Sequence, residues 1–248
     1  MKIIQISDCH LLADTKKFGY QEINPFHSLQ KILASVKQHK PDVLLVTGDI
    51  SGDATRQSYQ HFSGLLQDAK IDCRIAIIPG NHDNQEHLAT NVHQEYLWLQ
   101  HPQLVLPNHW HIHLLDTQSH ATLGQLSQDK LHSLTDYVNQ HSNEYHLLAA
   151  HHHPISCGGW MDKHQWLNRQ EFNAVVAKNQ AIKGVVYGHI HTAIEQQVNQ
   201  CVYLACPSTC WQFATQASFA TSDLKPGYRV INLLENGQIS TSIHRLKE

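Results

Sequence analysis

Three short runs of aliphatic and β-branched residues, at 2–7, 42–47 and 73–79, each break off into polar or glycine residues. The stretches between them carry apolar residues at helical spacing, so the chain is expected to fold as an α/β protein with parallel strands and crossover helices. Asn24-Pro25 opens the first helix, Asn as cap and Pro at the first helical position, ahead of an apolar face at Leu29, Ile32, Leu33 and Val36. Further helices are expected near 55–70 and 84–100. The second half repeats the alternation, with strands near 109–116, 145–150 and 182–187 and helices near 127–141 and 168–180. Short β segments follow near 193–198, 201–205, 227–234 and 238–244, and Asn236-Gly237 is a hairpin signal between the last two. No repeat, low-complexity tract or linker breaks the sequence, so residues 1–248 are expected to form a single domain.

Size and charge exclude several classes. A chain of 248 residues buries roughly 70–75% of its unfolded surface and needs no metal merely to fold, so any metal is expected to serve chemistry. With 18 Lys+Arg against 21 Asp+Glu, and Lys16-Lys17 the sole adjacent basic pair, there is no positive stripe for a nucleic acid polymer. No apolar run reaches the roughly 18–20 residues of a membrane span, and Asp8 interrupts the amino-terminal stretch before a signal-peptide core could develop. A cytoplasmic protein with no membrane partner is expected. The six cysteines form no C-x-x-C pair and read as thiols, mostly small buried hydrophobes. Histidine is the anomaly: its 22 copies outnumber the bases together and the acids together.

The chemistry-bearing residues collect just after strands. In order they are Asp8-Cys9-His10, Gly48-Asp49, Gly80-Asn81-His82-Asp83, His151-His152-His153-Pro154 and Gly188-His189-Ile190-His191. In open α/β sheets the carboxyl ends of the strands are where ligands bind. Singly, most of these patterns are weak: Gly48-Asp49 is an ordinary turn, and a histidine triplet is cheap in so histidine-rich a chain. The two imidazoles of Gly188-His189-Ile190-His191 are sharper, because i and i+2 at a strand end face one side.

Taken jointly, the motifs D-x-H, G-D, G-N-H-[DE], H-x-P and G-H-x-H resemble those of the calcineurin-like metallophosphoesterases, over essentially the whole chain. The likeness is greatest to the bacterial class III 3′,5′-cyclic-AMP phosphodiesterases. It extends to Asp53 with Tyr59-Gln60-His61-Phe62, to Pro207-Ser208-Thr209-Cys210 with Gln212-Phe213, and to Pro226-Gly227-Tyr228-Arg229. The resemblance implies a four-layer α/β/β/α sandwich of two mixed sheets. It also implies two divalent or mixed-valence transition-metal ions, Fe, Mn, Co or Zn. Asp49 would bridge them, Asp8, His10 and His191 completing one site and Asn81, His152 and His189 the other. Oxygen and imidazole donors without cysteine suit those metals. The spacing H-x-P selects His152, leaving His153 as a candidate substrate contact and His151 facing the opposite side; a slip of one residue would change that choice.

The implied reaction is hydrolysis of 3′,5′-cyclic AMP to 5′-AMP by a hydroxide generated at the two ions, which bring the pKa of water from 15.7 towards roughly 7. Asp49 and His82 are the expected catalytic residues, and Asn81, His82 and His153 the expected substrate contacts. His82 would stabilise the transition state or protonate the leaving oxygen. Asp83 would orient His82 or serve the turn, and the segment from Pro207 to Arg229 is expected to shape the pocket around ribose and base. The partner is thus a small cyclic nucleotide, the protein a monomer or homodimer. A broader phosphoesterase, or a non-enzymatic histidine-rich metal-binding protein, are the alternatives. Against the latter, buffers cluster histidines in tracts, whereas these sit at five strand ends.

Overall fold

The computed structural model describes residues 1–93 and 102–247. Its first half runs β1 (Lys2–Ile6), α1 (Pro25–Gln38), β2 (Val43–Thr47), α2 (Arg56–Ala69), β3 (Arg74–Ile78), α3 (Gln85–Asn91), β4 (Gln103–Val105) and β5 (Trp110–Leu114). The second half runs α4 (Gln128–Gln140), β6 (Tyr145–Ala149), α5 (Arg169–Lys178), β7 (Ile182–Tyr187), β8 (Ile194–Val198), β9 (Cys201–Ala205), β10 (Gln212–Phe213), β11 (Thr221–Ser222), β12 (Gly227–Leu233) and β13 (Ile239–Arg245). The first helix starts with the cap expected of it, while Asn168 at the start of α5 makes no side-chain capping bond. The Asn24 side chain accepts from the His27 amide at 2.9 Å with Pro25 following, and Thr55, Asn84 and Ser127 cap α2, α3 and α4 in the same way. Of the helix expected near 84–100, α3 forms the first part, and residues 94–101 lie outside the described residues.

Two mixed sheets result. One has the order β13-β12-β1-β2-β3, with β1, β2 and β3 parallel and β12 antiparallel to both of its neighbours, β1 and β13. The other has the order β4-β5-β6-β7-β9-β8, with β5, β6, β7 and β9 parallel and antiparallel strands at both edges. The Asn236-Gly237 turn joins β12 to β13, and Gly237 takes the positive φ such a turn requires.

Side-chain alternation along the strands divides the interior. Leu147 and Ala149 of β6 join the core that also holds Ile4, Leu44, Tyr228 and the α1 residues Leu29 and Ile32. Leu148 and Ala150 turn to a second core with Leu131, Leu134 and Val138 of α4 and Phe172 and Val176 of α5. The sheets therefore pack face to face with helices on both outer surfaces, the expected four-layer α/β/β/α sandwich. Buried polar links cross between them: Gln5 Nε2 donates to the Tyr187 carbonyl at 3.1 Å, and the Arg229 guanidinium donates to the carbonyls of Ala205 and Ile194 at 2.8 and 2.9 Å. This stacking brings the carboxyl ends of β1, β2 and β3 against those of β6 and β7. Among the described residues no helix is long and apolar enough to cross a membrane.

Candidate metal centre and substrate cavity

Each of those five strand ends delivers its motif to one place. Asp8 and His10 follow β1, Asp49 follows β2, Asn81 and His82 follow β3, His151 follows β6, and His189 and His191 follow β7. The turns are tight enough to leave ordinary backbone space. Asp8, His10, Asp49, His189 and His191 all have left-handed backbone, with φ between 45 and 70°. Such conformations cost roughly 1–3 kcal/mol each and persist where the surroundings over-determine them. Gly188 allows the closest approach: a Cβ there would collide with the Ser7 hydroxyl and stand 2.8 Å from an Asp8 carboxylate oxygen.

Hydrogen bonds then decide which ring nitrogen faces inward. A carbonyl can only accept, so His151 Nδ1–H donates to Thr47 at 2.7 Å, His191 Nδ1–H to Trp211 at 2.9 Å, and His189 Nε2–H to His164 at 3.0 Å. The opposite nitrogens of His151 and His191 are turned towards carboxylates, and that of His189 towards His151. His191 Nε2 is 3.0 Å from His10 Nε2 and 3.4 Å from Asp8 Oδ1, while His10 Nε2 is 3.6 Å from Asp49 Oδ2. His151 Nε2 lies 3.4 Å from Asp49 Oδ2, 3.2 Å from Asn81 Oδ1 and 3.2 Å from His189 Nδ1. Donors held about 2.0–2.2 Å from one ion stand about 3.0–3.5 Å apart, so both groups have the spacing of a metal shell, with Asp49 shared between them. Acceptors packed this closely repel unless positive charge lies among them.

The titration of the cluster agrees. Burial opposes ionisation of Asp8 and Asp49, yet His191 beside Asp8 and His151 beside Asp49 outweigh it and keep both carboxyls below their ordinary range. Burial likewise opposes charge on His151, and the Asp49 and Asp8 carboxylates override it, raising His151 to about 9. His10 shows the reverse, pushed down to about 3 by burial against the pull of Asp49. A hard, anionic, imidazole-rich pair of donor sets fits two divalent ions of the Fe, Mn, Co or Zn kind.

Above the donors opens a cavity of about 370 Å³, lined by His10, Asp49, Asn81, His82, His189 and His191 on its floor. Its wall is aromatic: Tyr20, Trp160, Trp211, Phe213 and Phe219, with His164 and Thr122. His82 is exposed to it, and its backbone N–H donates to Asp49 Oδ1 at 2.9 Å. Trp160 and Trp211 carry a sequence signal simply as tryptophans beside motifs. Phe213 carries one through the Gln212-Phe213 match and Phe219 through the segment expected to shape the pocket, whereas Tyr20, which reaches the wall from the distant segment before α1, has none.

Several expectations need correction. His152 does not join the donors; His151 does. Side chains alternate beyond the end of β6, so His151 continues the inward face of Leu147 and Ala149, and His152 the helix-facing side of Leu148 and Ala150. There His152 Nδ1 pairs with the Thr117 hydroxyl at 2.8 Å, its ring packed so closely against Gly124 that a Cβ would collide with it. His153 does not line the cavity: it is fully buried, 3.4 Å from Asp162, with its ring stacked against His189. Asp83 does not orient His82. Its buried carboxylate accepts from the amides of Ile50, Ser51 and Gly80 and from the Tyr59 hydroxyl, tying the β2 and β3 loops together.

The segment from Pro207 to Arg229 is also divided. Ser208 Oγ donates to the Asp8 carbonyl at 2.8 Å and the Thr209 amide to that of Ser7 at 3.0 Å, so this part buttresses the Asp8 turn. Trp211, Phe213 and Phe219 reach the cavity, whereas Tyr228 and Arg229 are buried in β12 as cross-links between layers. Cys9, between two donors, points into the core, where burial pushes its thiol up to about 12.

This fold and site define a class, and the sequence matches the profile of the calcineurin-like phosphoesterases over residues 1–193. The chain belongs to that family. It is 33% identical to the 3′,5′-cyclic adenosine monophosphate phosphodiesterase CpdA of Escherichia coli K12, the alignment covering all of this chain and 90% of that protein. It is 32% identical to the 3′,5′-cyclic-nucleotide phosphodiesterase alr5338 of Nostoc, over 99% of this chain and 92% of that one. Among solved structures, a dimetal phosphatase from Danio rerio shares the fold with a TM-score of 0.64 at 12% identity, over 93% of this chain and 94% of its own.

Proposed function

We propose that this protein hydrolyses 3′,5′-cyclic AMP to 5′-AMP at a centre of two divalent metal ions. Asp8, His10, Asp49 and His191 would hold one ion and Asp49, Asn81, His151 and His189 the other. The observation that carries the reading is the union of two surfaces in one cavity: a floor of converging carboxylate and imidazole donors, and an aromatic wall beside it. The names of the Escherichia coli and Nostoc relatives, whose alignments span this whole chain, point to the same substrate class.

When bound, divalent ions neutralise the phosphoryl oxygens and lower the pKa of water. The chain's own residues do the rest. Asp8 and Asp49, kept ionised, fix the charge of the floor, and the carbonyls of Thr47, His164 and Trp211 lock the imidazoles in the presenting tautomer. Asn81, neutral where a third acid could stand, leaves the site attractive to an anionic diester. Water oxygen forms the new bond to phosphorus, the bond to the 3′ oxygen breaks, and His82 delivers the proton that oxygen needs. Trp211, Phe213 and Phe219 offer faces for the adenine. Stacking discriminates weakly among bases, so cyclic GMP is expected to compete detectably.

Because the donors come from both sheets, residues 1–248 act as one domain, and six free cysteines suit the reducing cytoplasm. Chromatography of the products tests the reading. It predicts 5′-AMP; 3′-AMP, or no turnover by metal-replete protein, would replace it with a broader phosphoesterase.

A further inference from the structure

Histidines also gather at the opposite, amino-terminal end of the second sheet. His111 and His113 lie on β5 and His146 on β6, His141 follows the last turn of α4, and Glu144 sits in the loop entering β6. The His111 side chain is only 2% exposed, and its Nδ1 lies 3.1 Å from the Tyr137 hydroxyl, an arrangement that turns Nε2 onto the Glu144 carboxylate, which it contacts directly. His141 Nδ1 stands 3.5 Å from the other carboxylate oxygen. One ligand atom from each of His111, His141 and Glu144 lies within 4.8 Å of the others.

We propose that His111 Nε2, His141 Nδ1 and the Glu144 carboxylate form a further metal site, separate from the catalytic centre and suited to zinc. Two imidazoles and a carboxylate are a donor set for that borderline cation, and a fourth position stays open to solvent because His141 and Glu144 are each about one-third exposed. The donors are pre-positioned. Tyr137 holds the His111 ring through its hydroxyl and stacks on His141 with ring centres 4.4 Å apart. His146 Nε2–H donates to the His141 carbonyl at 3.1 Å, fixing the backbone that carries the second ligand, and His113 pairs with His146 behind it at 2.9 Å. An ordinary surface ion pair needs neither the second imidazole nor this backing. A surface cavity borders the site at Glu144 and is also lined by Glu235, with no Lys or Arg among the described residues of its lining, an approach favourable to a cation. Metal here would tie the end of α4 to β5 and to the start of β6, raising stability and leaving catalysis alone. The expectation that metal serves only chemistry would then need amending.

The test uses the full chain with its catalytic centre loaded, dialysed against zinc. Elemental analysis should show one zinc equivalent fewer in Glu144→Gln and in His141→Ala than in the parent, with phosphodiester turnover unchanged in both. Zinc at a hundredfold excess over its dissociation constant should raise the parent Tm by roughly 5–10 °C more than that of Glu144→Gln. Equal zinc content in parent and Glu144→Gln would reduce the cluster to an ion pair and overturn the proposal. So would a lost equivalent accompanied by lost turnover, since that ion would belong to the catalytic centre.

Discussion

At the carboxyl end of the central strands, His151, His189 and His191 each give one ring N–H to a backbone carbonyl; His151 and His191 turn the other nitrogen onto acids from the facing sheet, and His189 turns its own onto His151. At the amino end, His113 and His146 bond to each other, and burial holds them at about 3 and about 4, so they pack as neutral polar groups. The backbones differ as well. Five of the carboxyl-end donors occupy left-handed conformations, and none of His111, His113, His141 and His146 does. Histidine number therefore says little about chemistry. What separates the two ends is strained backbone, fixed tautomers and carboxylates opposite lone pairs. The amino end shares the fixed ring and the facing carboxylate at His111, through Tyr137 and Glu144, but not the strained backbone or a shared bridging acid, and for that reason a single stabilising ion is assigned to it rather than a catalytic pair.

The contrast can be broken most severely at Asp49, the residue shared by both donor groups. Asp49→Ala should lose bound metal and at least roughly 10³-fold in turnover while keeping its circular dichroism, because the chain folds on its own cores. A variant that kept its metal and its rate would erase the distinction between the two ends.

His82→Ala should come next, with a loss of roughly 10²–10³-fold at unchanged metal content. The loss should shrink for a nitrophenyl ester, whose leaving group needs no proton. An equal loss on good and poor leaving groups would leave His82 an electrostatic role alone.

The neighbours His151 and His152 sharpen the comparison within one tripeptide. His151→Ala should lose metal and activity. His152→Ala should keep its metal and cost about 1–3 kcal/mol of stability, as expected for a buried hydrogen-bonded group, readable in a urea titration. At the amino end, His113→Ala should cost a similar amount of stability and leave kcat and KM unchanged.

That tripeptide also shows where the sequence stops being readable. The strands, most helices and the Asn236-Gly237 hairpin follow from periodicity and turn chemistry, because those signals are local. Asp8, His10, Asp49, Asn81, His189 and His191 come from motifs whose spacing is rigid. Counting back from Pro154 chooses His152, but which imidazole faces inward is set by strand parity from Leu147 and Ala149, a property of packing between two sheets. Strands β4, β10 and β11 are two or three residues long, too short for a period to register. Likewise Tyr20 joins the aromatic wall from a segment that shares no spacing with Trp160 or with the Pro207–Arg229 segment.

The most direct test of the carboxyl-end centre is an anomalous-difference map from crystals of the protein loaded with manganese. The account predicts two peaks there, both beside Asp49, one also within bonding distance of Asp8, His10 and His191 and the other of Asn81, His151 and His189. A peak bonded to His152 in place of His151, or no peak beside Asp49, would contradict it.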